Sequence, residues 1–177
     1  MAAAFFQRFR FKDVAEIERA IAAQQAKLAE AVAAGDVMGE LAAKSWLGYA
    51  LTPLDRQAEA TVLLESALVL ARRFGDKLEE IRVLLNLATA RQYLGEHDLA
   101  QRHFRLALQR CRAIEGNVGE DQILHHQGRC FVEQGDLNAA RECFVQALAL
   151  REARGATEQV ESTRRALVAL DAMQGAS

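Results

Sequence analysis

The sequence predicts an all-α fold, an α-α superhelix of about eight antiparallel helices, and three observations carry that prediction. Ala and Leu recur throughout, aromatic residues make up 6% and Pro53 is the only proline, so helix formers dominate with almost nothing to break them. Sliding the chain by 40 residues brings like onto like: Gly48, Ala88 and Gly128; Ala60, Ala100 and Ala140; Leu64, Phe104 and Phe144; Ala67, Ala107 and Ala147, each followed by Leu68, Leu108 or Leu148. Glycines and acidic start signals punctuate the chain at the joints of that period.

Taken in order, residues 12–34 read as a first helix that ends at Gly35. Three helical pairs follow, 36–52 with 56–74, 76–94 with 97–114, and 117–134 with 137–154, and a last helix covers 157–173. Gly95 and Gly135 separate the members of their pairs, while Gly75, Gly116 and Gly155 follow the second helices, where a left-handed residue costs glycine little. Asp76 before Glu79, and Asn117 before Glu120, have the spacing of a cap and a carboxylate that returns to the free amides. Helices approach to about 8–10 Å only over small residues, so Gly48, Ala88 and Gly128 are expected to face Ala60, Ala100 and Ala140, with the large residue four positions later filling the wedge. The whole chain, 1–177, reads as one domain: a capping helix with a Phe-rich start (1–35), repeats at 36–75, 76–115 and 116–155, and a C-terminal capping helix (156–177).

Composition narrows the function. A net charge of -2 and a pI near 6.1 give no basic stripe for phosphates, so nucleic acid is not an expected partner. No apolar run approaches the roughly 18 residues that span a bilayer, and residues 1–11 lack the pattern of a secretory signal, so no membrane partner is expected. Cys111, Cys130 and Cys143 are odd in number and irregularly spaced, which fits a reducing, cytoplasmic setting, and Cys130 and Cys143 are expected in the core.

Leu87-Ala88, Ala100, Phe104 and Ala107, and again Gly128, Ala140, Phe144 and Ala147, resemble the tetratricopeptide repeat in its longer variant of kinesin light chains and bacterial regulatory proteins. The resemblance spans residues 36–173. Trp46 sits two positions later than the family's tryptophan, and Arg72, Arg112 and Glu152 stand where the family places a proline. HEAT-like repeats share the period but not the register of small, small, Phe and Ala.

The resemblance implies a concave face formed by the first helix of each repeat. By register it selects Ala42, Ser45, Trp46, Tyr49 and Thr52; Arg82, Leu85, Asn86, Thr89, Gln92 and Tyr93; Gln122, His125, His126, Arg129, Val132 and Glu133; and Arg165 at the end. Asn86 occupies the position at which relatives pair an asparagine with a peptide backbone, an amide having both donor and acceptor. Arg82, Arg129 and Arg165 outnumber Glu133, which suits an acidic peptide or a free carboxylate. Trp46 and Tyr49 read either as an aromatic anchor or as half-buried packing.

His126 and Cys130 are one helical turn apart beside His125, but two ligands do not make a metal centre, and no metal or cofactor is expected. Phe5, Phe6, Phe9 and Phe11 crowd the N-terminus among Gln7, Arg8, Arg10 and Lys12. They either extend the first helix over the open end of the stack or pack against a second copy in a symmetric dimer. With no phosphate loop and no nucleophile–base arrangement, the chain is not expected to be an enzyme. The expected function is a protein- or peptide-binding scaffold, an adaptor or the sensing arm of a regulator; the alternative is a self-associating structural subunit.

Overall fold

The structure is a computed structural model that describes residues 5–114 and 119–175. Among them are eight α-helices: α1 (Val14–Ala34), α2 (Val37–Leu51), α3 (Gln57–Phe74), α4 (Lys77–Tyr93), α5 (His97–Arg112), α6 (Glu120–Gln134), α7 (Leu137–Ala153) and α8 (Thr157–Gln174). No strand occurs among the described residues. The fold is an all-α, tetratricopeptide-like solenoid, and none of its helices is long and apolar enough to cross a membrane among the residues described.

Two compact units make up the chain, Arg8–Ala107 and Leu108–Ser177 together with Met1–Gln7. In the first, α1 packs on α2, α2 on α3, α3 on α4, and α2 also on α4. In the second, α7 lies between α6 and α8. Ala60, Ala100, Ala140, Leu64, Phe104, Phe144, Ala67, Ala107 and Ala147 are all fully buried, so the recurring register is the core.

The close approach differs in one respect from the expected pairing of small residues. A Cβ on Gly48 would stand 2.3 Å from Leu64 Cγ, and one on Gly128 would stand 2.8 Å from Phe144 Cε1. At these two crossings the glycine therefore makes room for the wedge residue itself, whereas the middle repeat accommodates the methyl of Ala88 at the same register position.

Asp13, Asp36, Asp76 and Asp136 each accept a hydrogen bond from the amide three residues on, at 2.9–3.0 Å, and so start α1, α2, α4 and α7. Glu79 does not return to Asp76 as a capping box requires; its Oε2 pairs with Arg82 Nη2 instead. The sixth helix begins at Glu120, three residues later than expected, behind Gly119 at φ 109°, and Asn117 and Gly116 lie outside the described residues. Gly75 shows the expected left-handed stop, at φ 71° with its amide directed to Arg72 O. Pro53 sits inside a single 3-10 turn, Thr52–Leu54, that joins α2 to α3.

The Phe-rich start is not an extension of the first helix, since Asp13 caps α1 behind it. Within the second unit, Phe6 is buried with Val132, Phe144, Ala166 and Leu170, and its ring stacks on Phe144 at 5.9 Å. Phe5 packs edge-on against Phe6 at 5.2 Å, so these two rings are satisfied within the chain. Phe9 and Phe11 belong to the first unit and pack edge-on at 5.1 Å, with Phe9 55% exposed.

Candidate functional site

The family register selects five residues in the first repeat and six in each of the next two; apart from Thr52, in the 3-10 turn after α2, these fall on the first helices α2, α4 and α6, and burial sorts them. Ser45, Leu85 and His125 are buried in every repeat, as are Thr52, Gln92 and Val132. These two positions look inward, so His125 and Gln92 are not available to a ligand, a correction to the register-based choice. The remaining positions are Ala42, Arg82 and Gln122; Trp46, Asn86 and His126; Tyr49, Thr89 and Arg129; and Tyr93 and Glu133, whose equivalent in the first repeat, not selected by the register, is Pro53. They recur at i, i+4, i+7 and i+11, the spacing of one stripe along a helix. All of these residues but Pro53 are half-buried or exposed.

In the first unit the stripes of α2 and α4 belong to directly packed helices. Trp46, Asn86 and Thr89 are half-buried, Tyr49 is 51% exposed and Arg82 is exposed. Thr89 Oγ1 donates to Leu85 O at 3.0 Å, which restricts its rotamer. Arg82 is paired with Glu79, which reduces the positive charge expected of this face.

Tyr93, at the end of the α4 stripe, is engaged by the chain's own N-terminal segment. Arg8 Nη1 donates to Tyr93 O at 2.6 Å and Arg8 Nη2 to Gln92 O at 3.2 Å, with the guanidinium 4.8 Å from the centre of the Tyr93 ring. The Phe9 amide donates to Tyr93 Oη at 3.0 Å. Arg10 Nη1 donates to Pro53 O at 3.1 Å and to Asp55 Oδ2 at 2.6 Å. The hydrogen bond from Arg10 holds the Asp55 carboxyl below its usual range.

In the second unit Arg129 Nη2 donates to Gln7 O at 2.7 Å and Phe6 O at 3.3 Å, so this arginine holds main chain. His125 lies inside a buried ionic network that the sequence did not reveal. Arg151 Nε donates to Asp121 Oδ2 at 2.9 Å, and Arg151 Nη1 donates to Gln159 O at 3.1 Å and to Thr163 Oγ1. Arg151 Nη1 also lies 3.3 Å from His125 Nδ1, and because a guanidinium only donates, that nitrogen accepts and the imidazole is neutral with its proton on Nε2. Burial first, and then the Arg151 charge, push His125 down to about 3. Burial and Arg129 likewise push the half-buried His126 down to about 4.

Arg165 is exposed on α8. All three cysteines are buried and outside any disulfide among the described residues, and burial pushes the Cys143 thiol up to about 11. No group of three or more His, Cys, Asp or Glu that could hold a metal ion occurs among the described residues.

The tetratricopeptide repeat family model matches twice, at residues 40–113 and 79–153, the second match displaced from the first by about one repeat. No curated protein sequence matches the chain. The two family matches together run through α2 to α7, more than half of the chain and the same stretch over which the small-residue register is buried, and on that agreement the chain belongs to the tetratricopeptide repeat family.

Proposed function

We propose that this chain is a non-catalytic protein-binding module, an adaptor or the sensing arm of a regulator, that holds an extended peptide on the stripe formed by α2 and α4. Repeats of this family generally mediate protein–protein interactions. The observation that carries the reading is the match between stripe positions in successive repeats: Trp46 with Asn86, and Tyr49 with Thr89, on helices that pack directly on one another. An extended strand crossing them would meet an aromatic anchor and an amide able both to donate to and to accept from its main chain. Tyr93 and Arg129 already hold main-chain groups of the N-terminal segment in this way, which supports recognition of backbone by these stripes. On the α6 stripe, His126 and Arg129 extend the candidate set within the second unit, and Arg165 of α8 is a further candidate there. Because Arg82 is paired with Glu79, an acidic ligand would have to compete for it.

The test is titration of the full chain with a library of short peptides, free carboxylates included, followed through Trp46 fluorescence. Asn86→Ala and Tyr49→Ala should each weaken a selected peptide by about tenfold, the scale of one lost buried hydrogen bond or aromatic contact. Unchanged affinity in both variants would remove the α2–α4 stripe from consideration.

A further inference from the structure

Arg8 and Arg10 are two residues apart in the sequence, the spacing at which side chains of an extended strand point to the same side. Their acceptors are 40 residues apart, Tyr93 O for Arg8 and Pro53 O for Arg10. The two arginines therefore rest on the same register position of successive repeats, the main-chain carbonyl where the first helix ends. The sites are built alike: a carbonyl at the negative end of a helix or helical turn, and a second group that recognises a guanidinium. For Arg8 the second group is the Tyr93 ring together with Gln92 O, and for Arg10 it is Asp55. Asp55 adopts φ 62°, rare for a residue with a side chain, and this left-handed turn accompanies the placement of its carboxylate beside Pro53 O. Between the two arginines the Phe9 amide donates to Tyr93 Oη, which fixes the strand without reading its side chain.

We propose that the ends of α2 and α4 form a binding edge for an extended Arg-x-Arg segment of a partner protein, and that Arg8–Arg10 of this chain occupies that edge in the resting state. A forked donor reaches the Gln92 and Tyr93 carbonyls from two nitrogens while its central carbon lies over the Tyr93 ring; an ammonium offers a single nitrogen for all three contacts, so the edge favours arginine over lysine. The occupying segment is held at its surface, with Phe9, Arg10 and Asp55 all exposed, and exposed charge pairs contribute little stability. A partner segment of the same chemistry can therefore displace it. The inference rests on the reading of the chain as a protein-binding module, but it uses the far end of the α2 and α4 stripes, at Pro53 and Tyr93, rather than Trp46, Tyr49, Asn86 and Thr89, and a basic ligand.

The experiment uses the full chain and a fluorescent synthetic peptide with the sequence of residues 7–11. The variant R8A/R10A clears the edge of its own arginines and should bind the peptide at least about tenfold more tightly than the unaltered chain, in which only the displaced fraction is competent. A peptide with both arginines replaced by lysine should bind the variant about tenfold more weakly, and adding Tyr93→Ala should abolish binding. N86A should change the peptide affinity by less than about twofold, which separates failure of this edge from failure of the α2–α4 stripe. If R8A/R10A loses its helical circular dichroism, R10A alone carries the test, with a gain of at least about threefold expected. No binding by the folded variant, or equal binding of the lysine peptide, overturns the proposal. So does a dimeric mass for the unaltered chain that R8A/R10A abolishes, which would assign the edge to a second copy.

Discussion

In the unit Arg8–Ala107 the ion pairs between helices lie at or near the surface, Arg91 with Glu65 and Glu96, and Arg72 with Glu80, whereas in the unit that begins at Leu108 the pair of Arg151 with Asp121 is inside, both side chains 6% exposed. One register accommodates both. Forty and eighty residues before Asp121 stand Ile81 and Leu41, and the same steps before Arg151 lead to Cys111 and Ala71, all of them buried. The repeat thus supplies an interior position, and either apolar contact or a paired charge can occupy it provided that every polar atom finds a partner. Asp121 meets that condition by accepting from Arg151 and Arg154, and Arg151 by donating also to Gln159 O and Thr163.

The largest expected effect breaks this difference. Arg151→Met leaves Asp121 inside with only the half-exposed Arg154, and by the usual penalty for a stranded buried charge it should cost about 3–5 kcal/mol in urea denaturation. Asp121→Leu combined with Arg151→Met restores the apolar chemistry of the earlier repeats and should recover most of that loss. A double variant no more stable than the single one would mean that the network does more than neutralise itself.

Acid should reveal the same asymmetry with a smaller effect. His125 is held at about 3, far below the ordinary value of 6.5 that the unfolded chain regains, so the unfolded state binds the proton first. Stability is therefore complete above pH 6.5 and falls as pH drops toward 3. At pH 5 the loss from His125 is about 2 kcal/mol, 1.36 kcal/mol for each of the 1.5 units below 6.5. His126 adds to the loss over the window from 6.5 to about 4. Urea denaturation at pH 7 and pH 5 checks this, and His125→Gln should remove the His125 share of the difference.

The contrast also marks what a sequence of this kind discloses. Gly48, Leu64, Ala88, Phe104, Gly128 and Phe144 were legible because core packing repeats with the chain's own period, and identity at a fixed interval needs no knowledge of contacts. Asp121 and Arg151 break the period, and that break was the available signal: two opposite charges at positions that are apolar elsewhere. The docking of the N-terminal segment had no such signal, since Arg8 reaches Tyr93 across 85 residues and Arg129 reaches Gln7 across 122, and the segment itself carries no copy of the period. The candidate stripe was half legible. The register puts these residues on or at the end of the first helices, but a helix stripe is narrower than the set it selects, and only burial separates Trp46, Tyr49, Asn86 and Thr89 from Ser45, Thr52, Leu85 and Gln92.

The two crossing points sharpen the comparison at the next level of magnitude. A methyl on Gly48 meets Leu64 at its branch point, 2.3 Å away, whereas one on Gly128 meets the edge of the Phe144 ring at 2.8 Å or more. A branched carbon cannot turn aside, but a ring can tilt. Gly48→Ala should therefore cost about 2 kcal/mol net of the helix preference for alanine, and Gly128→Ala about half as much. Thermal unfolding of the two variants orders them, and equal losses would mean that Phe144 is pinned by Phe6 and His125, which touch its ring.

The smallest effect is expected where the chain departs from its family. Arg72 and Arg112, in place of the proline that closes the family's second helix, lie in the last turn of α3 and at the end of α5 and pair with Glu80 and Glu120 at 2.9 and 2.6 Å, the same pair repeated at the period of 40. Both arginines are about half exposed while their carboxylates are nearly buried, so water screens the donor but not the acceptor. Removing the arginine leaves a poorly hydrated carboxylate, yet one whose approach to water opens as the side chain is cut back. Arg72→Ala should accordingly cost no more than about 1 kcal/mol, and Glu80→Gln, which keeps the hydrogen bond and drops the charge, less than that. Raising the salt concentration to 1 M should halve the difference between the unaltered chain and Arg72→Ala in urea denaturation. A salt-independent difference would instead place the value of this arginine in the packing of its aliphatic stem over the joint between repeats.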